Sequence, residues 1–595
     1  MQLDVESGAG SQRIDLFSLL DAAGEERAHD DAYAWIKGVR RLRVDDEPFR
    51  SRFTLRGDSL WWFAELYLHK EQAIHQAMRV VRAFDALVER ERPLAVRAVE
   101  GREAAIVGAA ADARGIRYAG RRWRDTNAAL LRLDTRAMRL AAVARLSRLR
   151  SRPTPPSRTG VAAFVHRAFW RAGHGGATAE SYIGLVLRAI ESRAGADAIR
   201  YIGVGPRTNF RARRWWDPLS RDTHEGIVSI ERFAPSTAMH EARDVYVRRH
   251  DMRRSLWRSA DLRGHAVVRG VDCWPLVREQ LAGIALLQFP WSARAMDEAA
   301  AALRAIEPEV AVTYAEAGGW GRALALEARR AGVPLAGLQH GFIYRHWLNY
   351  RHEADEMAPD AVNATDRGFP LPDRTLVFDQ YTASHLQRAG GFPASAVAVT
   401  GSASFDALAG AVRALGPDDL ERVRREAGAG GSRSLVLFAA KEREARAALP
   451  ALVDAVRAMP DVQLAIKPHP AETADVYGPA TADVPNIRVL PADASLPALL
   501  GAARGVVTVN STVAIDALAL GVPALVIGLP NNLSPFVEAG TMLGAGSAAE
   551  IREALARLLY DQEFRSTFHP GRPAGDANAA AASADAILAL RTRRS

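Results

Sequence analysis

The stretch VQLAIKPHPAE, Val462 to Glu472, joins an apolar run to a polar turn. The run has the length and residue types of a buried strand, and the two prolines end it because proline fixes the backbone and lacks an N–H donor. Lys467 and His469 therefore stand on a rigid turn at a strand end. One interpretation is a turn that happens to hold a lysine. The other is a mount for two groups that meet an anion.

Short apolar strands alternate with helical patterns on both sides of this stretch. The second half of the chain holds the predicted strands SLVLFAA, VQLAI, NIRVL, GVVTV and PALVI, separated by helices, and a similar series precedes it. Alternation of this kind predicts parallel sheets with helices on both faces. We therefore predict an α/β chain with two compact units in tandem and a cleft between them.

A proline-rich stretch, SRPTPPSRTG at residues 151–160, is the clearest boundary in the chain. It separates an N-terminal part, residues 1–150, from an α/β domain at 161–410. A second α/β domain with C-terminal helices is predicted at 411–595.

The N-terminal part contains a stretch that resembles a later one. Residues 40–120 match residues 255–337, with LRGDSLWW near Arg56 aligned on VRGVDCWP near Arg269. Further matches join Pro93, Glu100 and Gly120 to Pro308, Glu316 and Gly337. We interpret the first stretch as a partial α/β repeat. Chance similarity of two α/β units is the alternative.

Arginines are concentrated just before the boundary. Residues 121–152 contain ten arginines against Asp125 and Asp134. Apolar residues recur there at helical spacing: Leu130, Leu133, Ala137, Leu140 and Ala144. A basic amphipathic helix of this kind can lie on an anionic membrane surface, and a solvated arginine-rich helix is the alternative. No nucleic-acid partner is predicted, because no aromatic interleaving or nucleic-acid-binding motif accompanies the arginines.

The bulk composition sets the compartment and excludes several functions. The chain has 595 residues, a net charge of +9 and one cysteine, Cys273, which fits a reducing compartment. We expect a cytoplasmic protein, because there is neither a secretory-type start nor an 18-residue apolar run. No metal site is predicted, since Cys pairs, His-Glu-x-x-His and Asp-x-Asp are absent. The Walker loop, a strand-linked G-x-G-x-x-G and G-x-S-x-G are absent too, which argues against ATPases, dehydrogenases and hydrolases.

The second α/β domain supplies candidate anion-binding groups. Asn510, Ser511 and Thr512 follow a predicted strand and begin a helix, whose free N–H groups and hydroxyls can bind a phosphate. They would act with the Lys-Pro-His-Pro turn, while an ordinary helix cap is the alternative. Asp516 and Glu472 are further candidates for ribose or base contacts. Lys441, one of only four lysines, is a secondary candidate.

The first α/β domain supplies different groups. Gln339, His340 and Gly341 close one predicted strand, and Glu316 closes the strand before it. A glutamate and a histidine at neighbouring strand ends can remove a proton from a hydroxyl. A structural histidine is the alternative. The partial repeat has Glu100 at the position of Glu316 but no counterpart of His340, which argues for a structural glutamate.

Four motifs together resemble the bacterial GT-B glycosyltransferases of surface-polysaccharide synthesis. They are QHG at 339–341, VTGSASFDAL at 399–408, IKPHP at 466–470 and VNSTVAIDALALGVPALVIG at 509–528. Capsule Kdo transferases and polysialyltransferases are most similar, and CDP-glycerol glycerophosphotransferases share the layout. In these families a His-Pro motif and a Ser/Thr motif bind the phosphate and ribose of a cytidine nucleotide. The matching residues here are His469 with Pro470 and Ser511 with Thr512, and Gly401 and Ser402 of the crossover motif are secondary candidates.

The resemblance implies a GT-B-like fold, with two Rossmann-like domains facing a cleft. It implies an inverting transferase without a cofactor, which moves a sugar or polyol phosphate from a CMP- or CDP-linked donor. Because the metal-binding motifs are absent, we expect the reaction to be metal-independent. The domain at 161–410 would hold a surface-glycan or lipid-linked acceptor, and the domain at 411–595 the nucleotide sugar. His340 or Glu316 would be the base, and Lys467, His469 and Ser511 would stabilise the departing phosphate.

Two alternatives to this activity remain open at the level of sequence. One is a non-catalytic GT-B-like scaffold that binds a glycan or a partner. The other is an enzyme like UDP-GlcNAc 2-epimerase, which has the same fold. For the transferase we expect a cytoplasmic protein that is peripheral on the inner face of the membrane.

Overall fold

The computed structural model describes most of the chain in two compact units. The described residues are 1–8, 10–98, 101–123, 127–151, 154–172, 178–206, 226–314, 316–469, 472, 474–481, 484–567 and 578–591. The first unit comprises residues 1–401 and 580–595, and the second comprises 402–579.

The N-terminal part of the first unit is a small sheet with helices. Its strands are β1 Gln2–Ser7, β2 Gly10–Asp15, β3 Arg43–Val44, β4 Glu47–Pro48, β5 Thr54–Leu55, β6 Asp58–Ser59, β7 Ala95–Ala98 and β8 Arg117–Gly120. Its helices are α1 Ala22–Gly38, α2 Phe49–Arg52, α3 Trp61–Glu71, α4 Ala73–Glu91, α5 Arg102–Ala113 and α6 Asn127–Arg150. The sheet order is β2-β1-β7-β8, and β7 and β8 are parallel.

The rest of the first unit is built on a larger sheet. Its strands are β9 Thr159–His166, β10 Trp170–Ala172, β11 Thr178–Glu180, β12 Ile199–Val204, β13 Ile227–Ser229, β14 Val267–Val268, β15 Val271–Asp272, β16 Pro308–Tyr314, β17 Leu335–Leu338, β18 Arg374–Val377 and β19 Val397–Val399. Its helices are α7 Gly184–Ala194, α8 His240–Arg258, α9 Ala260–His265, α10 Trp274–Gly283, α11 Phe289–Ile306, α12 Gly319–Ala331, α13 Ala354–Met357 and α14 Gln380–Gly390. A π-helical turn, Ile284–Gln288, joins α10 to α11.

Seven of these strands form one parallel sheet. Their order is β13-β12-β9-β16-β17-β18-β19, and every neighbouring pair is parallel. The order reverses between β9 and β16, so the carboxyl ends of these two strands flank the point at which ligands bind in open α/β sheets.

The second unit has a six-stranded sheet. Its strands are β20 Ser434–Ala439, β21 Val462–Lys467, β22 Ile487–Val489, β23 Gly505–Thr508, β24 Ala524–Ile527 and β25 Leu543–Ala545. Its helices are α15 Ala403–Arg413, α16 Pro417–Glu426, α17 Glu442–Ala445, α18 Leu449–Arg457, α19 Gly478–Thr481, α20 Leu496–Ala502, α21 Val513–Ala519, α22 Ser534–Glu538, α23 Ala548–Tyr560 and α24 Gln562–Thr567.

The strand order of the second sheet is β22-β21-β20-β23-β24-β25, with all neighbours parallel. Both faces of β20 are covered, because Val436 and Phe438 lie in one apolar cluster and Leu435 and Leu437 in another. Counted along the chain, the order is 3-2-1-4-5-6, that of dinucleotide-binding Rossmann folds. The predicted α/β class with two Rossmann-like units is confirmed.

The two stretches matched in sequence have the same order of elements. Arg56-Gly57 and Arg269-Gly270 both turn a two-stranded hairpin with positive φ, at 51° and 89° in the first and 48° and 78° in the second. In each, two helices follow, and then a strand, a helix and a parallel strand. Glu100 lies outside the described residues.

The N-terminal part belongs to the first unit, and buried ion pairs join it to the later residues of that unit. Lys37 and Glu65, both fully buried, contact Glu356 and Arg322 of the later part. The proline-rich stretch that sequence placed as a domain boundary therefore lies inside a unit.

The last helix, α25 Ala579–Leu588, returns to the first unit, whereas sequence placed it in the second α/β domain. There Ser583 Oγ contacts Thr400 Oγ1 at 3.0 Å. Asp585 of the helix pairs with Arg193, and Arg591 pairs with Glu309.

The predicted basic helix is α6, and its predicted apolar face is mostly the face that packs on the unit. Ala137 is buried and Leu130, Leu133 and Ala144 are half-buried, while Leu140 is 40% exposed. Asp125 and Arg152 of this segment lie outside the described residues. Within the described part of the chain, no helix is long and apolar enough to span a bilayer.

Candidate functional site

The edge of the second sheet at its order reversal gathers the residues that sequence predicted. The reversal lies between β20 and β23. Lys441 follows the first of these strands, and Asn510 and Ser511 follow the second. β21, which ends at Lys467, lies beside β20. The topology thus brings the Lys-Pro-His-Pro turn and the Asn-Ser-Thr turn to one edge of one sheet.

Lys467 and His469 differ in their exposure. Lys467 is 9% exposed, and its ammonium donates to the carbonyl of Ala492 at 3.1 Å and to that of Pro468 at 3.5 Å. Burial lowers the pKa of this lysine. His469 is exposed at the end of the turn, and Pro470 lies outside the described residues. The strand end therefore carries a buried ammonium, that of Lys467, and two residues later an exposed imidazole, that of His469.

The Asn-Ser-Thr turn is held by its own side chains. The Ser511 N–H donates to Thr508 Oγ1 at 3.1 Å, and Thr508 Oγ1 donates to the carbonyl of Ala439 at the end of β20. Ser511 Oγ accepts from the Val513 N–H at 3.3 Å, so Ser511 caps α21. Thr512 makes no side-chain cap bond, and its side chain is exposed. Asn510 Oδ1 accepts from the Asn532 N–H at 3.2 Å.

Asp516, Glu472 and Lys441 complete the predicted set in this unit. Burial raises the pKa of Asp516 to about 6. Glu472 accepts from the Glu442 N–H at 3.1 Å and from Tyr477 Oη at 3.3 Å, so its carboxylate caps the start of α17. Lys441 is exposed immediately before that helix. Glu472 thus has a structural position, and Lys441 and Asp516 remain candidates for ligand contacts.

The edge of the first sheet at its reversal holds an aromatic and acidic cluster. Tyr314, the last residue of β16, accepts at Oη from the N–H of His166, the last residue of β9, at 3.2 Å. The His340 ring lies 5.1 Å from the Tyr314 ring and 5.3 Å from the Tyr182 ring, centroid to centroid. Buried Glu180 accepts from the N–H groups of Tyr182 and Ile183.

Burial shifts the proton affinity of this cluster. It lowers the pKa of His340 and of His166 to about 4, and it raises the pKa of Glu180. Both imidazoles are therefore neutral at pH 7. Sequence reasoning identified His340 but missed His166, Glu180, Tyr182 and Tyr314. His166 and Tyr314 end the two strands at the order reversal, so the strand order would have identified them.

Glu316 lies in a separate, closed environment. It is 1% exposed, Tyr350 Oη donates to its Oε1 at 3.3 Å, and burial raises its pKa to about 7. A Cβ on Gly337 would lie 2.6 Å from Glu316 Cγ, which shows how closely the side chain packs on β17. Among the contacts of the described residues, none joins Glu316 to His340, although sequence paired them.

Four of the secondary candidates occupy structural positions in the backbone. They are Gln339, Gly341, Gly401 and Ser402. Gln339 donates from Nε2 to the Gly341 carbonyl at 2.9 Å and accepts at Oε1 from the Phe378 N–H at 2.8 Å. It thereby links the ends of β17 and β18. Gly401 has a φ of +85° at the end of the first unit. Ser402 caps α15 through the Phe405 N–H at 3.3 Å.

One buried cluster has the residue types of a metal site. Ligand atoms of Glu65, His352 and Glu356 lie within 4.8 Å of one another. Lys37 Nζ lies among them, 2.6 Å from Glu65, 2.9 Å from Glu356 and 3.4 Å from His352 Nδ1. The ammonium already supplies the positive charge that these carboxylates need, so we assign no metal here.

A protein-family match falls on the second unit. Residues 434–532 match the family described as Capsule polysaccharide biosynthesis protein. The segment contains the edge formed by Lys467, His469 and Asn510 to Thr512, so the predicted resemblance to capsule-polysaccharide enzymes is confirmed for this part of the chain. No curated protein sequence matches the chain.

Several solved structures are similar to the chain at low identity. UDP-GlcNAc 2-epimerase from Neisseria meningitidis bound to UDP-GlcNAc has 13% identity over 73% of this chain and 100% of its own, with a TM-score of 0.43. The calicheamicin glycosyltransferase CalG4 has 17% identity over 74% and 99%, with a TM-score of 0.41. Acinetobacter baumannii MurG has 14% identity over 72% and 98%, with a TM-score of 0.40. At these scores the fold assignment depends on the strand order described above.

Proposed function

We propose that the chain is a glycosyltransferase of capsule or surface-polysaccharide synthesis whose second unit binds the nucleotide of its sugar donor. One observation carries the proposal. The segment that matches the capsule-synthesis family, residues 434–532, contains the sheet edge that carries both the Lys467 to His469 turn and the Asn510 to Thr512 turn. That edge is the ligand position of a Rossmann-type sheet.

The groups at this edge suit a departing nucleotide phosphate. Transfer of a sugar breaks its bond to the phosphate, which leaves with the bonding electrons and gains negative charge. The Lys467 ammonium, the His469 imidazole and the hydroxyls of Ser511 and Thr512 would stabilise this charge by donating hydrogen bonds. These donors support a metal-independent reaction. The resemblance of the His-Pro and Ser-Thr motifs supports a CMP- or CDP-linked donor.

The first unit would hold the acceptor, a surface glycan or lipid-linked glycan. Tyr182, 41% exposed, offers a ring face for a sugar, and the His340 ring packs against its edge. His340 is half-buried and neutral at pH 7, so an unprotonated ring nitrogen is available to take the acceptor hydroxyl proton. We assign this base role to His340 and a structural role to Glu316, which is closed to solvent.

Thermal stabilisation by CMP, CDP, UDP, GDP and ADP tests the nucleotide site. A ligand that binds only the folded protein raises Tm in proportion to its affinity and concentration. We expect a cytidine nucleotide to stabilise the wild type and to lose this effect in His469→Ala. His240→Ala changes an exposed histidine of the first unit and should keep it.

Other outcomes of this panel are equally informative. Stabilisation by UDP alone would replace the cytidine donor with a UDP-linked one. If no nucleotide stabilises the wild type, the donor site is absent and a glycan-binding scaffold becomes the better explanation. Once a donor is known, release of its nucleotide should fall at least about 100-fold in His469→Ala.

A further inference from the structure

Helix α6 carries a second apolar stripe on the side that faces away from the first unit. Leu131, Met138 and Leu149 are 69%, 47% and 68% exposed. Their spacings of seven and eleven residues place them on one line along the helix. The line from Leu131 to Leu149 is about 27 Å long at the rise of an α-helix. Leu146, 39% exposed, lies beside it.

The opposite side of α6 is firmly attached, so the exposed stripe is not a misplaced core face. Arg148 is buried, pairs with Glu298 and donates to the Ala234 carbonyl at 3.1 Å. Asp134, the one acidic residue within α6, lies 3.1 Å from the Arg249 guanidinium of α8. The acid is therefore already neutralised within the protein.

Arginines flank the stripe. Five of them are exposed on α6: Arg132, Arg136, Arg139, Arg145 and Arg150. At 100° per residue, Arg132, Arg136, Arg139 and Arg150 lie on one side of the leucine line and Arg145 on the other. The outward surface of α6 thus combines an apolar ridge with exposed arginines, and the acid of the helix, Asp134, is already paired with Arg249.

We propose that α6 docks on an anionic lipid surface. Leu131, Met138 and Leu149 would enter the boundary between head groups and acyl chains, and the arginines would contact lipid phosphates. Charge complementarity selects an anionic partner, and the leucines select a bilayer over a nucleic acid, whose phosphates would engage only the arginines. The proposal depends on α6 alone and is independent of the nucleotide site. A transferase that acts on a lipid-linked acceptor would be held where that acceptor is embedded.

Vesicle sedimentation of the full chain tests this docking. We expect binding to phosphatidylcholine vesicles containing 30% phosphatidylglycerol, none to phosphatidylcholine alone, and weaker binding at 0.5 M salt. Leu131→Ser with Leu149→Ser should weaken binding at least tenfold. Arg132→Glu with Arg139→Glu should do the same, and Arg132→Lys with Arg139→Lys should not. Val362→Ser, at a 64% exposed valine elsewhere, is the matched apolar control.

Three results would overturn the proposal. Absence of wild-type binding to the anionic vesicles is the first. Equal binding by the leucine variant and the wild type is the second. The third is a wild-type dimer in light scattering that becomes a monomer in the leucine variant, with no vesicle binding by either protein. The stripe would then be an interface between copies of the chain. Unchanged Tm in each variant confirms that the fold survives, and nucleotide stabilisation should be the same in all of them.

Discussion

The two units share a strand order but bury charge very differently. Among the described residues, the first unit buries fourteen lysine, arginine, aspartate and glutamate side chains, and the second buries only Lys467. The buried charges of the first unit include pairs that join its N-terminal repeat to the later part, such as Lys37 with Glu356. In the second unit the other buried polar side chains are uncharged, such as Gln463, Asn486 and Thr508. Substitution of a buried charged residue in the first unit should therefore reduce folding stability. Substitution of a sheet-edge residue in the second unit should reduce ligand binding.

The two buried lysines make this contrast sharpest. Lys37 has carboxylates of Glu65 and Glu356 within 3.0 Å, whereas the contacts of Lys467 are carbonyls. Removing a lysine from between two buried carboxylates leaves their charge uncompensated. Removing Lys467 leaves no buried charge behind, because Asp493, the acid whose charge acts on it, is exposed.

Lys37→Met should have the largest effect on folding. We expect a loss of about 3–5 kcal/mol in the free energy of unfolding, because Glu65 and Glu356 lose their shared counter-ion. Urea denaturation measures it. Lys70→Met makes the same change at an exposed lysine and should stay within about 0.5 kcal/mol. A small loss in Lys37→Met would show that Arg322 alone neutralises the cluster.

Glu316→Gln should stabilise the protein at high pH. Folding raises the pKa of Glu316 from 4.5 to about 7, so its contribution is fully present below pH 4.5 and is lost as pH rises through 7. The neutral amide avoids this loss, and the variant should exceed the wild type by up to about 3 kcal/mol above pH 7. Denaturation at pH 4.5 and pH 8 should show a difference only at pH 8. Equal curves would mean that Glu316 ionises without cost.

Gly337→Ala tests the packing around that same glutamate. The new methyl would lie 2.6 Å from Glu316 Cγ, and such overpacking costs about 1–3 kcal/mol. Gly430→Ala in the second unit meets nothing within 4 Å and should change stability by less than about 0.5 kcal/mol. Urea denaturation of both variants compares the two units directly, and equal losses would contradict the contrast.

Lys467→Met should have the smallest effect on folding and a clear one on ligand binding. Its lowered pKa shows that burial disfavours the charged form, so the variant should keep or slightly raise the stability, within about 1 kcal/mol. Stabilisation by the nucleotide should be lost. A variant that unfolds readily yet still binds nucleotide would reverse the assignment made for this edge.

Much of the second unit was predictable, because its strands are continuous apolar runs between turn signals. The sequence placed Lys467, His469 and the Asn510 to Thr512 turn at strand ends, and parallel strands bring such ends to one edge. It did not predict that Glu472 caps α17, because that contact depends on how the turn folds back.

The first unit was harder to predict for a physical reason. Several of its buried ion pairs join residues more than 250 positions apart, such as Glu65 with Arg322 and Lys37 with Glu356, and no local pattern marks such partners. The same is true of the pairing of Glu316 with Tyr350 instead of His340. The repeat was visible in sequence because its Arg-Gly hairpins require a special backbone, and only a few residue types suit it.

The return of α25 to the first unit has a consequence for biosynthesis. The ribosome releases residues 1–401 well before it makes residues 580–591, so the first unit waits for its last helix while the second folds. The second unit is thus an insertion, and near its two ends the Ala579 N–H donates to Asp406 Oδ2 at 2.8 Å. A gene encoding residues 402–579 alone should yield an independent domain, whereas a stop codon after residue 579 should leave the first unit incomplete.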